Sequence, residues 1–558
     1  LDAAPTGWAE RSLWALVGVA IITFSVVLLP AASLHTLVAL LVVAAGFWGL
    51  AVVIASVLDL STYPAVRRLE GAFAWATALV VIGLMLTWGY LVYRGGSSYG
   101  TDELAFDQYA AQLLAHGHNP YLQSMGPAFR LFGLGPNQHT YTTAGQPVLA
   151  LSYPALSFLA YVPFILLGLH KHVAQDVDLV AWVATVIMLF TMLPRQARAL
   201  ALVIGCATIY LSTVVGGDTD VLYVPLLIMT AYRWDRFGTS RRSYIGPICL
   251  GLAMAVKQTP WPILAFMLVA IALDESARSD LAAGIRRAGR YGAAAVLAFL
   301  LPNLPFILAS PSSWLRGVLT PFTKNLVPSG QGIVALTLFD HLGGGSLAAF
   351  TLALVCIGAL LIVAFIATYP LLRPATFLLA ALVYLFGARS QTNYLIEFVP
   401  VVLVGAATVG PARWPALSTA LGPLRSRVWG AAVVAVAALA FGATAYALTD
   451  PSPLTLTITG ETAGGRDGHI TAVGLLVRND TGAPLTPHYT VQRTGGDTTF
   501  WTLRAGARTI AAGASARIEL TVPDPNAEPN TSDGFSVVAF TEHPSAVSVS
   551  HRFLRGSA

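Results

Sequence analysis

Charge is what this chain has least of. Only 11% of its 558 residues are Asp, Glu, Lys or Arg, while 56% are hydrophobic; an ordinary soluble domain carries about 25% charged residues. Mean hydropathy is +0.68. That balance excludes a soluble globular chain and predicts a polytopic α-helical membrane protein, because the longer apolar runs suffice to cross a hydrocarbon core. Cysteine is equally scarce: Cys206, Cys249 and Cys356 all fall inside apolar segments, which excludes a disulfide framework and a thiol or zinc motif. Lysine is confined to Lys171, Lys257 and Lys324, so the formal charge of +5 is carried by arginine. Those arginines cluster in short loops, where they report topology and not nucleic acid. The chain opens at Leu1 and ends in RGSA; processing or cloning is the expected origin of such ends, and both are left out of the functional argument.

What remains is mostly membrane span. Apolar segments are predicted at residues 13–29, 33–57 and 73–93, with Arg67 and Arg68 between the second and third. The positive-inside rule puts those arginines in the cytoplasm and the loop after Arg94 outside. Of the next two runs, 151–169 and 177–193, one must fail to span if Arg195 and Arg198 are cytoplasmic. The first, with Pro154 and Pro163, is read as re-entrant or interfacial. Carried to residue 450, the parity gives about thirteen transmembrane helices with the N-terminus inside. After Asp450 the composition changes to Thr, Gly and alternating apolar residues. Strands are expected near 454–458, 470–477, 489–492, 499–503, 516–522, 535–541 and 546–553, with turn signals between them. The chain therefore divides into a membrane domain, 1–450, and an extracytoplasmic immunoglobulin-like β-sandwich, 451–558, in which Trp501 and Tyr489 could stack on carbohydrate.

On this topology the unusual polar residues gather on one side. Asp102, Glu103, Asp107, His116, His118, Asn119, Asp218, Asp220, Lys257, Gln258, Lys324, Asn325, Gln331, Arg389, Gln391 and Glu397 are all assigned to outer loops or outer helix ends. The richest stretch is YGTDELAFDQYAAQLLAHGHNPY, 99–121, in an outer loop of about 94–150. Phe106, Ala110, Leu113 and Leu114 recur at helical spacing, so the segment reads as an amphipathic helix on the bilayer surface with its acidic start in water. A carboxylate there could accept a proton; acidic residues also favour helix starts for structural reasons. Cations retained outside, against the positive-inside bias, suggest an anionic partner such as a phosphate, with snorkelling as the plainer account. Asp218 and Asp220 could hold a divalent ion, Mg or Mn, or simply form a turn. His116 and His118 lack a third ligand nearby and read as substrate-contacting or interfacial.

The ordered set of motifs carries a resemblance. TDELAFDQYAAQLLAHGHNPY, then Tyr153-Pro154-Ala155-Leu156, then GGDTDVLYVPLLIMTAYRW and GLAMAVKQTPWPILAF together resemble, over about residues 72–410, the GT-C-fold glycosyltransferases that use polyprenyl-phosphate sugars, in their bacterial mannosyltransferase-like branch. Ala155 departs from the family's Tyr-Pro-Pro-Leu element. The resemblance implies an inverting transfer with Asp102 as general base and Glu103 and Asp107 orienting it or the acceptor. It implies Lys257, Lys324 and Arg389 as donor-phosphate ligands, and Tyr109, His116, His118, Asn119, Tyr153, Gln258, Asn325 and Gln331 as substrate contacts. No cofactor is required, and the Asp218–Asp220 pair leaves a divalent cation open. The implied partners are a polyprenyl-phosphate-linked donor, with mannose or arabinofuranose favoured by an Ala- and Arg-rich, Lys-poor composition of high-GC bacterial type, a cell-envelope glycan or glycolipid acceptor, and membrane lipids. The implied location is the plasma membrane, active side outward. Two rival readings stand beside it: a secondary transporter or lipid flippase, which would want mid-membrane ionisable residues and often an internal repeat, and an inactive scaffold on the same fold.

Overall fold

The computed structural model describes residues 8–33, 35–58, 64–94, 99–211, 221–338, 345–391, 393–410, 427–464, 468–492, 499–523, 530 and 534–554. Among these, eight helices are long and apolar enough to cross a membrane: Trp8–Ala32 (α1), Thr36–Val57 (α2), Arg68–Val92 within the longer Pro64–Arg94 (α3), then Val173–Met192, Leu281–Ala309, Leu347–Ala367, Tyr369–Phe386 and Gly430–Thr449. On α2, Leu37, Leu40, Leu41 and Phe47 are exposed, an apolar surface suited to contact with lipid. The expected count of about thirteen exceeds eight because several apolar runs fold into shorter pieces: Arg198–Cys206, Val224–Ala231, Ile245–Val256, Trp261–Ser276 and Phe398–Thr408. Twelve helical residues reach only about 18 Å. The 151–169 run makes no span and breaks into Leu156–Leu159 and Val162–Leu166, with Pro163 in the first turn of the second.

The Asp102–Ala115 helix (α4) corrects one expectation. Leu104, Ala105, Phe106, Asp107, Gln108, Ala110 and Ala111 are all buried, so the helix is enclosed nearly all round and does not lie on a bilayer with its acidic end in water. It packs on the Leu156–Leu159 and Val162–Leu166 helices and on the start of Val173–Met192. Polar groups inside this layer are satisfied locally: the Gln108 amide nitrogen donates to His170 O at 2.8 Å and its oxygen accepts from Ala174 N–H at 3.0 Å.

All seven expected strands are present in the C-terminal domain: β3 (Leu454–Ala463), β4 (Ile470–Asn479), β5 (His488–Gln492), β6 (Phe500–Ala505), β7 (Ser515–Thr521), β8 (Ser536–Thr541) and β9 (Ala546–Val549). The preceding labels belong to the short parallel pair β1 (Ser329–Gly330) and β2 (Arg389–Ser390). The seven run antiparallel in the single order β3-β4-β7-β6-β5-β8-β9, and Leu454 N–H donates to Ser548 Oγ at 3.1 Å across the remaining gap, which makes the sheet barrel-like. Trp501 and Tyr489, expected as stacking residues, are core: both are buried among Val473, Leu475, Val491 and Leu520.

Strand β8 explains how this domain sits. Val537 and Ala539 face the domain's own core, whereas Val538 and Phe540 join Val547, Tyr141, Val327, Val334, Leu347, Phe350 and Ala447 in a second apolar cluster. A strand covered on both faces reads as a near-continuous apolar run, and SVVAFT is one. Backbone contacts reinforce the seam: Leu347 N–H donates to Ser545 O and Val547 N–H to Gly345 O, both at 2.9 Å. The domain is thus docked on the helices and on the 141 loop. Cysteines introduced at exposed Ser124 and Ala512 should consequently react with an impermeant maleimide from the same side of the membrane in intact cells; labelling from opposite sides would break the topology.

Candidate active site

Four connections meet at the start of α4. Thr101 is the N-cap, its hydroxyl accepting from Glu103 N–H, so the acidic pair is not needed for capping and its side chains point elsewhere. Asp102, 6% exposed, is gripped by one residue: Thr140 N–H donates to Oδ2 at 2.6 Å and the Thr140 hydroxyl donates to Oδ1 at 3.0 Å. From Thr140 the contacts run through three extended segments. Val327 N–H donates to Tyr141 O at 2.9 Å and Thr143 N–H to Asn325 O at 2.8 Å. Strand β1 then pairs with β2, Ser329 opposite Arg389, and Gln331 N–H donates to Ser390 O at 2.8 Å. Gly330, at φ +107°, permits this approach: a Cβ there would stand 1.9 Å from Ser390 O. The pairing brings the Arg389 guanidinium into the field of Asp102.

Beside them Lys257, 3% exposed, forms an ion pair with Glu103, and its ammonium lies 5.7 Å from the centre of the Tyr153 ring. Burial, then the neighbouring Glu103, Asp102 and Asp107 carboxylates, hold the Tyr153 phenol well above its usual range, so it is a hydrogen-bond donor at neutral pH. Gln258 is committed to the scaffold, its amide nitrogen donating to Ser152 O (2.7 Å) and Val318 O (2.8 Å). Tyr384 donates to Thr259 O at 2.9 Å and packs its ring on Tyr394 at 5.3 Å.

The structure therefore gathers Asp102, Glu103, Tyr153, Lys257, Gln258 and Arg389, with Asn325 and Gln331 on the extended segment that carries β1. Other expected residues stand apart. Asp107 is fully buried and accepts from Ser157 Oγ at 2.7 Å; five residues along a helix turn it about 140° away from Asp102. Tyr109 is half-buried on α4, and His116, His118 and Asn119 lie past its far end, about 21 Å along the axis from Asp102. His116 Nδ1 hydrogen-bonds Gln112 O and Asn119 Oδ1 caps the next turn by accepting from Tyr121 N–H. Lys324 and Asn325 are not among these: both are exposed on the segment whose Asn325 O accepts from Thr143 N–H. Asp218 and Asp220 lie outside the described residues, and no group of three potential metal ligands occurs among the described ones. Two contributors were not expected from sequence, Thr140 and Tyr141; the signal available was a hairpin signature in YTTAGQP.

Burial is the main force on the Asp102 carboxyl and raises it to about 6, against the opposing pull of the two Thr140 hydrogen bonds and Arg389; Glu103 adds a small push upward. A carboxylate at that value is ionised at neutral pH yet basic enough to accept a proton. If this carboxyl serves as a base, its protonation as pH falls through about 6 removes it, and kcat/KM should fall on the acid side with an apparent midpoint there. Arg389→Met, which removes the cation favouring the ionised form, should move that midpoint upward. A flat profile between pH 5 and pH 7 would count against Asp102 as the titrating group.

The opposite end of the bundle holds a second buried ionic group. Arg373, 3% exposed, takes Asp274 through Nε (3.0 Å) and Nη2 (2.7 Å), lies 3.7 Å from Asp235, donates to Gly410 O and stacks over Trp234 at 5.0 Å. The Trp261–Ser276 helix joins the two ends, from the Lys257–Gln258 turn to Asp274, a length of about 24 Å. Comparison with protein-family models, curated proteins and solved structures found no match.

Proposed function

We propose that the chain is a membrane glycosyltransferase of GT-C-like architecture, transferring a sugar from a polyprenyl-phosphate donor to a cell-envelope glycan or glycolipid acceptor on the extracytoplasmic face. The observation that carries it is Asp102, a buried carboxyl raised to about 6, held in one orientation by Thr140 and faced by Arg389. In this reading the acceptor hydroxyl gives its proton to Asp102 as its oxygen bonds to the anomeric carbon from the face opposite the phosphate. The anomeric C–O bond breaks and its electron pair leaves on the lipid phosphate, so the configuration inverts. Arg389 and Lys324 offset the phosphate charge, and Lys257 shares its charge with Glu103. No protein-bound intermediate forms.

In this reading the shorter apolar helices cross together with the irregular segments that flank them, completing about thirteen crossings, with the Asp102 end and the sheet domain outside the plasma membrane. A lipid-borne donor suits a site at a bundle end, where cytosolic nucleotide sugars do not reach. The sugar is drawn from mannose and arabinofuranose, and a divalent ion enters only through Asp218 and Asp220. Radiolabelled transfer by the purified protein, from polyprenyl-phosphate mannose and from polyprenyl-phosphate arabinofuranose to envelope glycolipid fractions, tests the proposal. Labelled product that disappears in Asp102→Asn supports it; no product from either donor with any acceptor fraction overturns it.

A further inference from the structure

The hairpin at residues 140–148 has two ends with different neighbours. Across it, Val148 N–H donates to Thr140 O at 2.8 Å, Thr142 N–H to Gln146 O at 2.9 Å and Gly145 N–H to Thr142 O at 2.9 Å. Its base is Thr140, which holds Asp102. Its tip rests on the sheet domain. Gly145, at φ +73°, comes so near that a Cβ would stand 3.3 Å from His488 Nδ1 and 3.5 Å from Phe500 Cδ1. The Tyr141 and Phe500 rings meet edge-on at 5.4 Å, and Phe500 packs in turn on Phe540 at 5.6 Å.

We propose that the sheet domain is a positioning element of the Asp102 site, with Phe500 and Tyr141 as positioning residues that fix the hairpin so that Thr140 meets the carboxylate. A lone two-stranded hairpin is marginal in water, and this one has Asn325–Val327 along one flank and the sheet at its tip. Without the tip contact, Thr140 samples positions in which its two donors miss Asp102. Neither ring is placed on the reacting atoms, so both act through Thr140. The other groups in the field of Asp102 are Glu103, Arg389, Tyr141 and Tyr153, and the substitutions below leave Glu103, Arg389 and Tyr153 in place. The inference rests on Asp102 being the working carboxylate of the proposed function.

The test reads Asp102 directly. A hydrophobic carbodiimide reacts with a protonated carboxyl, and labelling of Asp102 in the full chain in detergent is followed by mass spectrometry across pH. The wild-type midpoint is expected near pH 6. Phe500→Ala and Tyr141→Ala should each raise it by about one pH unit, because the Thr140 hydrogen bonds favour the ionised form, and the double variant should shift no further than either. Amide exchange across residues 139–143 should quicken in the same variants. Phe500→Tyr and Tyr141→Phe, which keep both rings, should stay at wild type. If Phe500→Ala does not fold, Phe500→Leu carries the same expectation. An unmoved midpoint together with unmoved exchange in folded variants overturns the positioning role. Shifted midpoints in a protein that transfers no sugar would leave the positioning role standing and remove the glycosyltransferase reading, so the two fail separately.

Discussion

Asp102→Asn should lower sugar transfer at neutral pH by at least about 100-fold, the lower end of what general bases contribute, while the protein stays folded and still binds donor. The substitution is nearly isosteric. Its amide oxygen can still accept from Thr140 N–H, and its amide nitrogen can donate to the Thr140 hydroxyl, so the two contacts at 2.6 and 3.0 Å survive in altered polarity. What is lost is the capacity to take a proton. Asp107→Asn is the control on the same helix: its carboxyl is buried against Ser157 and turned away from the site, so it should touch stability more than turnover. Turnover in Asp102→Asn close to wild type would remove the base from this mechanism.

Lys257→Met should cost about 3 to 5 kcal/mol of stability, the range for stripping one partner from a buried ion pair, because it strands Glu103 among buried groups. Glu103→Gln should cost a similar amount from the other side. The double variant should recover most of the loss, since removing both charges leaves neither one uncompensated. Melting of the four proteins in one detergent reads this cycle, and additive losses would show that the two charges are not coupled. The resemblance implies a donor-phosphate role for Lys257, and the ion pair adds a structural one. Lys324, exposed on its loop, remains the lysine whose replacement by Met should weaken donor binding while leaving the melting point in place.

The elements most legible in the sequence were those with a strong period or an abrupt change in composition. The eight long helices, the seven strands and the boundary near Asp450 all follow from hydropathy and turn signals. The count of thirteen crossings was not resolved, because runs such as Ile245–Val256 are apolar enough to span but not long enough. Asp102 and Glu103 stood out as an acidic pair in an apolar chain, yet their partners did not. Thr140 lies 38 residues from Asp102 and Lys257 lies 154 from Glu103, separations that no local pattern encodes. Tyr489 and Trp501 read in sequence as possible stacking residues because aromatic residues on a strand look alike whichever face they line. Arg373 looks in sequence like any loop arginine, and only its pairing with Asp274 sets it apart.

That last residue bears on traffic through the molecule. Arg373 gathers Asp274, the adjacent Trp234 and Asp235, and Gly410 from three separate parts of the chain at the end of the bundle opposite Asp102. Parting them would leave a guanidinium and two carboxylates without one another in a confined, poorly solvated space, the costliest kind of rupture a protein interior offers. The cluster ties the end of the Trp261–Ser276 helix to the 234–235 turn and to Gly410. A carrier that exposes its cargo first on one side and then on the other needs two mouths that open in turn, and a mouth at this end would have to break these contacts each time it opened.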